Sequence, residues 1–130
     1  MRHKVNKLID MRLGEYQTRS NVIRTMMTNF VREGHMTTTA KKAKVLKSET
    51  DSFLSSLIRL FDLYKDEKDV RREAIRLVKS QIWSEAEGKK VINEILPRIR
   101  QTGKKSGFVA SYKLGYRMGD GAEKILLRII

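Results

Sequence analysis

The sequence predicts an α+β fold, in which a layer of helices packs on a small, mostly antiparallel three-stranded sheet in the order α-β-α-α-α-β-β. Three observations predict it. Apolar residues recur at spacings of three and four through most of residues 20–96. A short β-branched segment, residues 35–39, interrupts that pattern, and strict alternation replaces it after Pro97. Because a short strand needs a partner, we expect the early strand to join the terminal hairpin.

The chain of 130 residues has the length of one domain. Residues 1–17 predict a basic N-terminal extension, since their apolar residues follow no sustained period and no cap precedes them. Residues 18–130 are predicted to form a single α+β domain, whose binding partner the charge and motifs below indicate. The first helix is expected to begin at Ser20, a suitable N-cap, and to end at Gly34, a suitable C-terminal cap.

After the short strand, with Thr39 as the expected N-cap, a long helix is predicted from residue 40 to about residue 65. Its first two turns are basic and its second half is strongly apolar. A third helix follows an acidic turn. Ser84 and Glu87 have the spacing of a capping box that opens a fourth helix, and Pro97 is expected to end or kink that helix.

The segment after Pro97 changes its period. Residues 101–107 contain Gly, Lys and Ser but no apolar residue, and this composition predicts a basic loop. Residues 108–114 and 124–129 alternate as strands do. Between them, residues 115–121 include three glycines, which predicts a hairpin connection.

The formal net charge is +13, and it is concentrated at the two ends of the chain. Residues 1–50 carry eleven Lys and Arg against four Asp and Glu, residues 51–95 nine against nine, and residues 96–130 eight against two. A polyanion would relieve the repulsion within these ends and would gain counterion release. The charge alone leaves two alternatives to a polyanion partner. It could serve only solubility, or it could bind a membrane surface.

Several classes of protein are not indicated. No stretch approaches the roughly 18 apolar residues of a membrane span, and the N-terminus lacks the features of a secretory signal, so we expect a soluble, intracellular protein. The absence of cysteine rules out disulfides and thiolate sites. His3 and His35 are weak material for a metal site. Gly103-Lys104 lacks the upstream glycine of a phosphate loop, and no catalytic set can be assembled by spacing. We therefore expect no enzyme activity, no cofactor and no metal.

The segment around residue 40 combines the groups that bind phosphate. Thr37, Thr38 and Thr39 offer hydroxyls at a helix start, and lysines follow at once at positions 41, 42 and 44. A capped and solvated helix start is the structural alternative. Aromatic residues near basic ones are few, so base stacking is weakly indicated. Recognition of the backbone and shape of folded RNA is the better interpretation.

Three collinear blocks carry a family resemblance. The first joins Met1-Arg2-His3 and Leu13-Gly14 to Phe30-Val31-Arg32 and to residues 36–46, MTTTAKKAKVL. The second is residues 93–98, NEILPR, and the third is residues 113–122, KLGYRMGDGA. Together they resemble the bacterial large-subunit ribosomal protein seventeen family. Residues 106–111 depart from the family pattern, where a Tyr and an Arg are usual.

The resemblance implies a structural, non-enzymatic protein of the cytoplasmic ribosome that supports translation. Its expected partners are the large-subunit ribosomal RNA and neighbouring ribosomal proteins near the outer mouth of the exit tunnel. We expect it to bind neither a membrane nor a small-molecule substrate. It also implies that Phe30, Ala43 and Leu46 belong to the core.

Matched motif positions and the basic segments together give the candidate RNA-binding residues. They are Arg2, His3, Lys4, Lys7, Arg12, Arg19, Arg24, Arg32, Thr37, Thr38, Thr39, Lys41, Lys42, Lys44, Lys47, Arg98, Lys104, Lys105, Lys113 and Arg117. The alternative function is that of a small DNA-binding nucleoid or regulatory protein, which would require base-reading side chains on a helix. Asn, Gln and Arg are not concentrated on any predicted helix.

Overall fold

A computed structural model describes residues 16–130, with side chains from residue 20 onward. In chain order the elements are α1 (Tyr16–Glu33), β1 (His35–Thr39), α2 (Ala40–Leu63), α3 (Glu67–Gln81), α4 (Glu85–Lys90), a π-helical segment (Val91–Ile95), α5 (Leu96–Gln101), β2 (Val109–Tyr116) and β3 (Glu123–Ile129). The π-helical segment joins α4 to α5 without a break, and the three together form the predicted fourth helix. The predicted α+β fold and the order of its elements are confirmed.

The three strands form one sheet in the order β1-β3-β2, with both pairs antiparallel. The early strand therefore joins the terminal hairpin, as predicted. Directly opposed residues of an antiparallel pair lie on the same face of the sheet. Thr39 opposes Lys124 on one face, whereas Met36 opposes Leu127 on the other. Because Leu127 is fully buried, the second face is the one that the helices cover.

The core lies between that sheet face and the helices. Alternate residues of β3 point into it, Phe108 and Val109 at the start of β2 add to it, and most of the rest comes from α1, α2, α3 and the α4–α5 helix. Phe30, Ala43 and Leu46, which the family resemblance assigns to the core, are all buried. Burying a large apolar side chain contributes about 1.5–3 kcal/mol, so this cluster is the main source of stability.

The first helix begins at Tyr16, four residues before the predicted start, and Ser20 lies inside it. No Gly or Pro stands in residues 16–19 to stop the helix from extending beyond its apolar stripe. The predicted C-terminal cap is confirmed: Gly34 has φ +77°, and its N–H donates to Phe30 O at 2.8 Å. Only glycine adopts that left-handed conformation without strain.

Of the two outcomes expected at Pro97, an end of the helix is not found, because α5 continues to Gln101. The residues just before Pro97 form a π turn, in which the Leu96 N–H donates to Val91 O, five residues back. Proline lacks an N–H donor, and its ring crowds a preceding carbonyl of a regular α-helix. The wider π turn shifts the hydrogen-bond pattern immediately before the proline, and the helix continues beyond Pro97.

The hairpin is longer than predicted, since β2 includes Gly115 and Tyr116. The register shifts between Lys113 and Gly115, so Leu114 is the extra residue of a β-bulge. Gly115 has φ +106°, which explains why a glycine stands at this point of the strand. The turn then closes through Arg117 N–H to Ala122 O at 2.7 Å.

Candidate nucleic-acid interface

Most of the predicted threonines and lysines around residue 40 lie together where β1 passes directly into α2. We call this region the α2-start surface and define it as Thr37, Thr39, Lys41, Lys42, Lys44, Lys47 and Lys124. The lysines in the first two turns of α2 lie outside the core, because Ala43, Val45 and Leu46 occupy the buried positions between them. Lys41, Lys42 and Lys44 are exposed, and Lys47 is half-buried.

The N-terminus of α2 reinforces this positive surface. Thr39 occupies the N-cap position in an extended conformation, but its hydroxyl makes no capping hydrogen bond, contrary to the prediction of a side-chain cap. The first turn of α2 also contains no acidic residue. The first-turn amides of a helix and its macrodipole favour an anion at this end. A phosphate at the α2-start surface would therefore meet both lysine ammonium groups and backbone N–H groups.

The sheet adds a residue that sequence reasoning did not select. Lys124 on β3 lies opposite Thr39 on β1, and on its other side it opposes Gly115 on β2. The sequence already placed Lys124 on the strand of residues 124–129 and Thr39 at the end of the strand of residues 35–39, but only the register brings the two side by side. Thr38 lies on the other face, opposite the buried Ile125, and is half-buried.

The two predicted arginines of α1 with described side chains are engaged within the protein. The Arg24 guanidinium stacks on the Trp83 ring at 3.7 Å from its centroid and donates to Lys79 O at 3.2 Å. Arg24 thus fastens α1 to the end of α3 by a cation–π contact. Trp83, in turn, donates its backbone N–H to the Thr28 hydroxyl at 3.2 Å.

Arg32 forms an ion pair with Glu87, with 2.5 Å between Nε and Oε1. The expected capping box is not formed, since Ser84 makes no side-chain cap bond to the backbone and Glu87 pairs with Arg32 instead. The Ser84 hydroxyl and the Arg32 guanidinium lower the pKa of Glu87 from 4.5 to about 2. The largely buried carboxylate of Glu87 therefore stays charged and joins α4 to α1.

The predicted cations of the hairpin also have carboxylate partners. Lys113 Nζ lies 3.5 Å from Glu123 Oε1 across the two strands. Arg117 donates to both carboxylate oxygens of Asp120, including a 3.0 Å bond from Nε to Oδ1. Hydrogen bonds from Arg117 and from the Ala122 amide hold the pKa of Asp120 well below its ordinary value of 3.8. Asp120 therefore belongs to the turn rather than to a cation site.

Three further candidates lie far from the α2-start surface. Arg98, on α5, and Lys104, in the following loop, are both exposed. Lys105 in the same loop lies 3.6 Å from Asp62, near the C-terminal end of α2. Since α2 has 24 residues, it is about 36 Å long, and these cations stand near its opposite end.

The remaining candidates cannot be placed on this surface. Arg2, His3, Lys4, Lys7 and Arg12 lie outside the described residues, as does the side chain of Arg19. Within residues 16–130, no three His, Asp or Glu side chains are arranged to share a metal ion. In the same part of the chain, no helix is long and apolar enough to cross a membrane.

The chain is similar to proteins of one known family. The model of the family described as Ribosomal protein L17 matches residues 22–130. The large ribosomal subunit protein bL17 of Fervidobacterium nodosum is 27% identical over 132 residues, which cover 100% of this chain and 99% of the relative. The large ribosomal subunit protein bL17 of Thermotoga maritima is 29% identical, over 100% of this chain and 95% of the relative. That of Clostridium acetobutylicum is 30% identical, over 86% of this chain and 88% of the relative.

The family match covers both the α2-start surface and the hairpin, and the relatives match along almost their whole length. The matched proteins are structural components of the large ribosomal subunit and not enzymes. The chain belongs to the ribosomal protein L17 family.

Proposed function

We propose that this protein binds large-subunit ribosomal RNA through Lys and Arg contacts to phosphates. Among the residues that the structure describes, we propose that the α2-start surface makes the main contact. The observation that carries the proposal is the set of exposed lysines at an uncapped helix N-terminus, with Lys124 beside them on the sheet. Lysine ammonium groups bind phosphate as point charges, and free amides add directed hydrogen bonds.

The contrast with the other predicted cations supports this assignment. Arg24, Arg32, Lys113 and Arg117 each contact a partner inside the protein, so their charges are already partly used. Lys41, Lys42 and Lys44 lie on a helix turn that contains no carboxylate. A polyanion gains most where charge is both exposed and uncompensated.

The location within the subunit is also part of the proposal. The family resemblance supports a place near the outer mouth of the nascent-peptide exit tunnel, among neighbouring ribosomal proteins. The predicted basic extension, residues 1–17, would add RNA contacts through Arg2, Lys4, Lys7 and Arg12. Arg98, Lys104 and Lys105, at the far end of α2, would reach a separate RNA segment.

The affinity of two double variants for a large-subunit rRNA transcript tests the proposal. Lys42→Ala/Lys44→Ala removes two charges from the α2-start surface. Lys65→Ala/Lys68→Ala removes two charges from exposed positions beside and at the start of α3, and so has the same net charge. If each lost contact is a charged hydrogen bond, the first variant weakens binding by roughly tenfold or more, and the control by about twofold or less.

Equal losses in the two variants would show that only total charge matters, and would overturn the assignment of the surface. Duplex DNA that competes with the transcript at equal concentration would instead favour a DNA-binding protein.

A further inference from the structure

A groove runs between α3 and the α4–α5 helix. It consists of two cavities of about 860 and 500 Å³, and both are lined by Arg71 of α3 and by Ile92 and Asn93 of the π-helical segment. Because they share these residues, the two cavities adjoin, and we call their combined lining the α3–α4 groove. Each volume lies in the range of about 300–1,000 Å³ that is usual for sites of small organic ligands.

Apolar residues and one glycine form the floor of this groove. Gly88 of α4 is buried against α3, where a Cβ would lie 3.1 Å from a Val78 methyl. Val78 and Ile82 are buried, and Ile75 on the same side of α3 is 36% exposed. A floor of this kind binds a flat apolar or aromatic face by removing it from water.

Each cavity contains an arginine stacked on an aromatic ring. Arg24 and Trp83 line the smaller cavity, with 3.7 Å from the guanidinium to the ring centroid, and Trp83 is still 53% exposed. Arg100 and Phe61 line the larger cavity, with 4.2 Å between the same groups. Aromatic rings and guanidinium planes are the surfaces on which unpaired RNA bases stack.

The groove is positively charged, although residues 51–95 as a whole are neutral. Its three arginines are joined by Lys68, Lys79 and Lys89, and the carboxylates that line it are Glu67 and Glu85. Six cations against two carboxylates give a net charge of +4. The Glu85 carboxylate is paired with Lys89 at 2.9 Å.

The charge pairs of α3 explain why its groove side stays positive. Asp69 and Glu73 pair with arginines of the same helix at 2.9 and 3.2 Å, and none of these four residues lines the groove. Arg71 and Lys79 line it and are exposed, and neither forms an ion pair with another residue that the structure describes. A polyanion in the groove would therefore meet charge that is not already compensated.

We propose that a single-stranded segment of ribosomal RNA lies in the α3–α4 groove, with an unpaired base stacked on Trp83 and its phosphates at Arg71 and Lys79. An acidic peptide would also satisfy the cations, but a nucleotide chain supplies both the negative charges and the planar rings that match the two stacks. The inference rests on the proposed function, since its partner is the same RNA. It adds a site that binds bases, whereas the α2-start surface binds phosphates.

The fluorescence of Trp83 tests the proposal, because Trp83 is the single tryptophan of the chain. The full chain is titrated with a short single-stranded oligoadenylate and, separately, with inorganic polyphosphate of the same length, a polyanion without bases. Stacking of adenine on the indole should quench the emission to saturation, whereas polyphosphate should leave it nearly unchanged. Equal quenching by both, or no quenching by oligoadenylate, would overturn the proposal.

Two double variants of equal net charge separate this groove from the α2-start surface, and both retain Trp83. Arg71→Ala/Lys79→Ala should raise the oligoadenylate concentration at half-quenching by roughly tenfold or more, and Lys42→Ala/Lys44→Ala by about twofold or less. Thermal unfolding checks that both are folded. Equal shifts would show that only total charge matters and would overturn the groove. If Lys42→Ala/Lys44→Ala fails to weaken transcript binding while the groove results hold, the α2-start assignment fails and this inference stands.

Photo-crosslinking in assembled large subunits identifies the occupant of the groove. Azidophenylalanine in place of Ile75 lies in the groove and leaves Trp83 intact. We expect a cross-link to one segment of ribosomal RNA. The same group at Leu63, which is 66% exposed on α2 and lines neither cavity, should not give that product. A cross-link from position 75 only to a protein segment, or none, would contradict the proposal.

Discussion

Leu46 and Lys44 lie on the same turn of α2, but their side chains have opposite surroundings. Leu46 is 1% exposed and belongs to the core between α2 and the sheet, whereas Lys44 is exposed on the α2-start surface. Replacing each by alanine therefore separates the contribution of this turn to stability from its contribution to RNA binding.

The expected cost of Leu46→Ala follows from its burial. The substitution removes three carbon atoms from the core, worth about 2.4 kcal/mol at roughly 0.8 kcal/mol each. The cavity left behind adds to this cost, so we expect about 3–4 kcal/mol, within the usual range for buried Leu to Ala. Lys44→Ala removes no buried contact and should change stability by less than about 0.5 kcal/mol.

Urea unfolding followed by circular dichroism measures both values, and binding to an rRNA transcript is measured under conditions where both variants are folded. Folded Leu46→Ala should bind with nearly wild-type affinity, while Lys44→Ala should bind several-fold more weakly. A cost below about 1 kcal/mol for Leu46→Ala would contradict the assigned core. Equal destabilisation by both variants would refute the assignment of Lys44 to a solvent-facing surface.

Three further predictions concern contacts that hold the elements together. Asp51→Ala leaves two backbone amides at the start of β2 without their acceptor, and it should lower the free energy of unfolding in urea by about 1–3 kcal/mol. The control Asp62→Ala breaks one exposed ion pair and should lower it by about 1 kcal/mol or less. Equal losses in the two variants would contradict the role of Asp51. Gly88→Val should destabilise by about 1–3 kcal/mol, because even a Cβ at Gly88 would lie 3.1 Å from a Val78 methyl; unchanged stability would show that α3 and α4 can move apart. Since the pKa of Glu87 is lowered to about 2, its contribution is complete above its ordinary 4.5 and is lost as the pH falls towards 2. Glu87→Gln should therefore lose less stability than the wild type between pH 6 and pH 3 in urea unfolding, and identical losses would contradict the ion pair.

The fold could be predicted because its local patterns and its topology agree. Apolar spacing located the helices, Gly34 located the end of α1, and the need of a five-residue strand for a partner linked β1 to the hairpin. The sequence left open whether Pro97 ends or kinks its helix, and the rule for proline in an α-helix does not anticipate the π turn before it. That turn depends on packing that sequence spacing does not reveal.

The candidate site was predictable in part. The lysines after residue 40 are exposed because the same helical period that buries Leu46 turns them outward, and the sequence contains that period. The partners of Arg24 and Arg32 were not predictable, since Trp83 and Glu87 lie more than 50 positions away in the chain. The register that brings Lys124 beside Thr39 likewise required the folded sheet.

The salt dependence of rRNA binding tests the central claim most directly. The logarithm of the binding constant is measured against the logarithm of salt concentration for the wild type and for Lys41→Ala/Lys42→Ala/Lys44→Ala. If the three lysines contact phosphates, the variant's slope is smaller by about 2–3, at roughly 0.7–0.9 for each lost contact. An unchanged slope would show that these lysines do not contact RNA phosphates and would contradict the account.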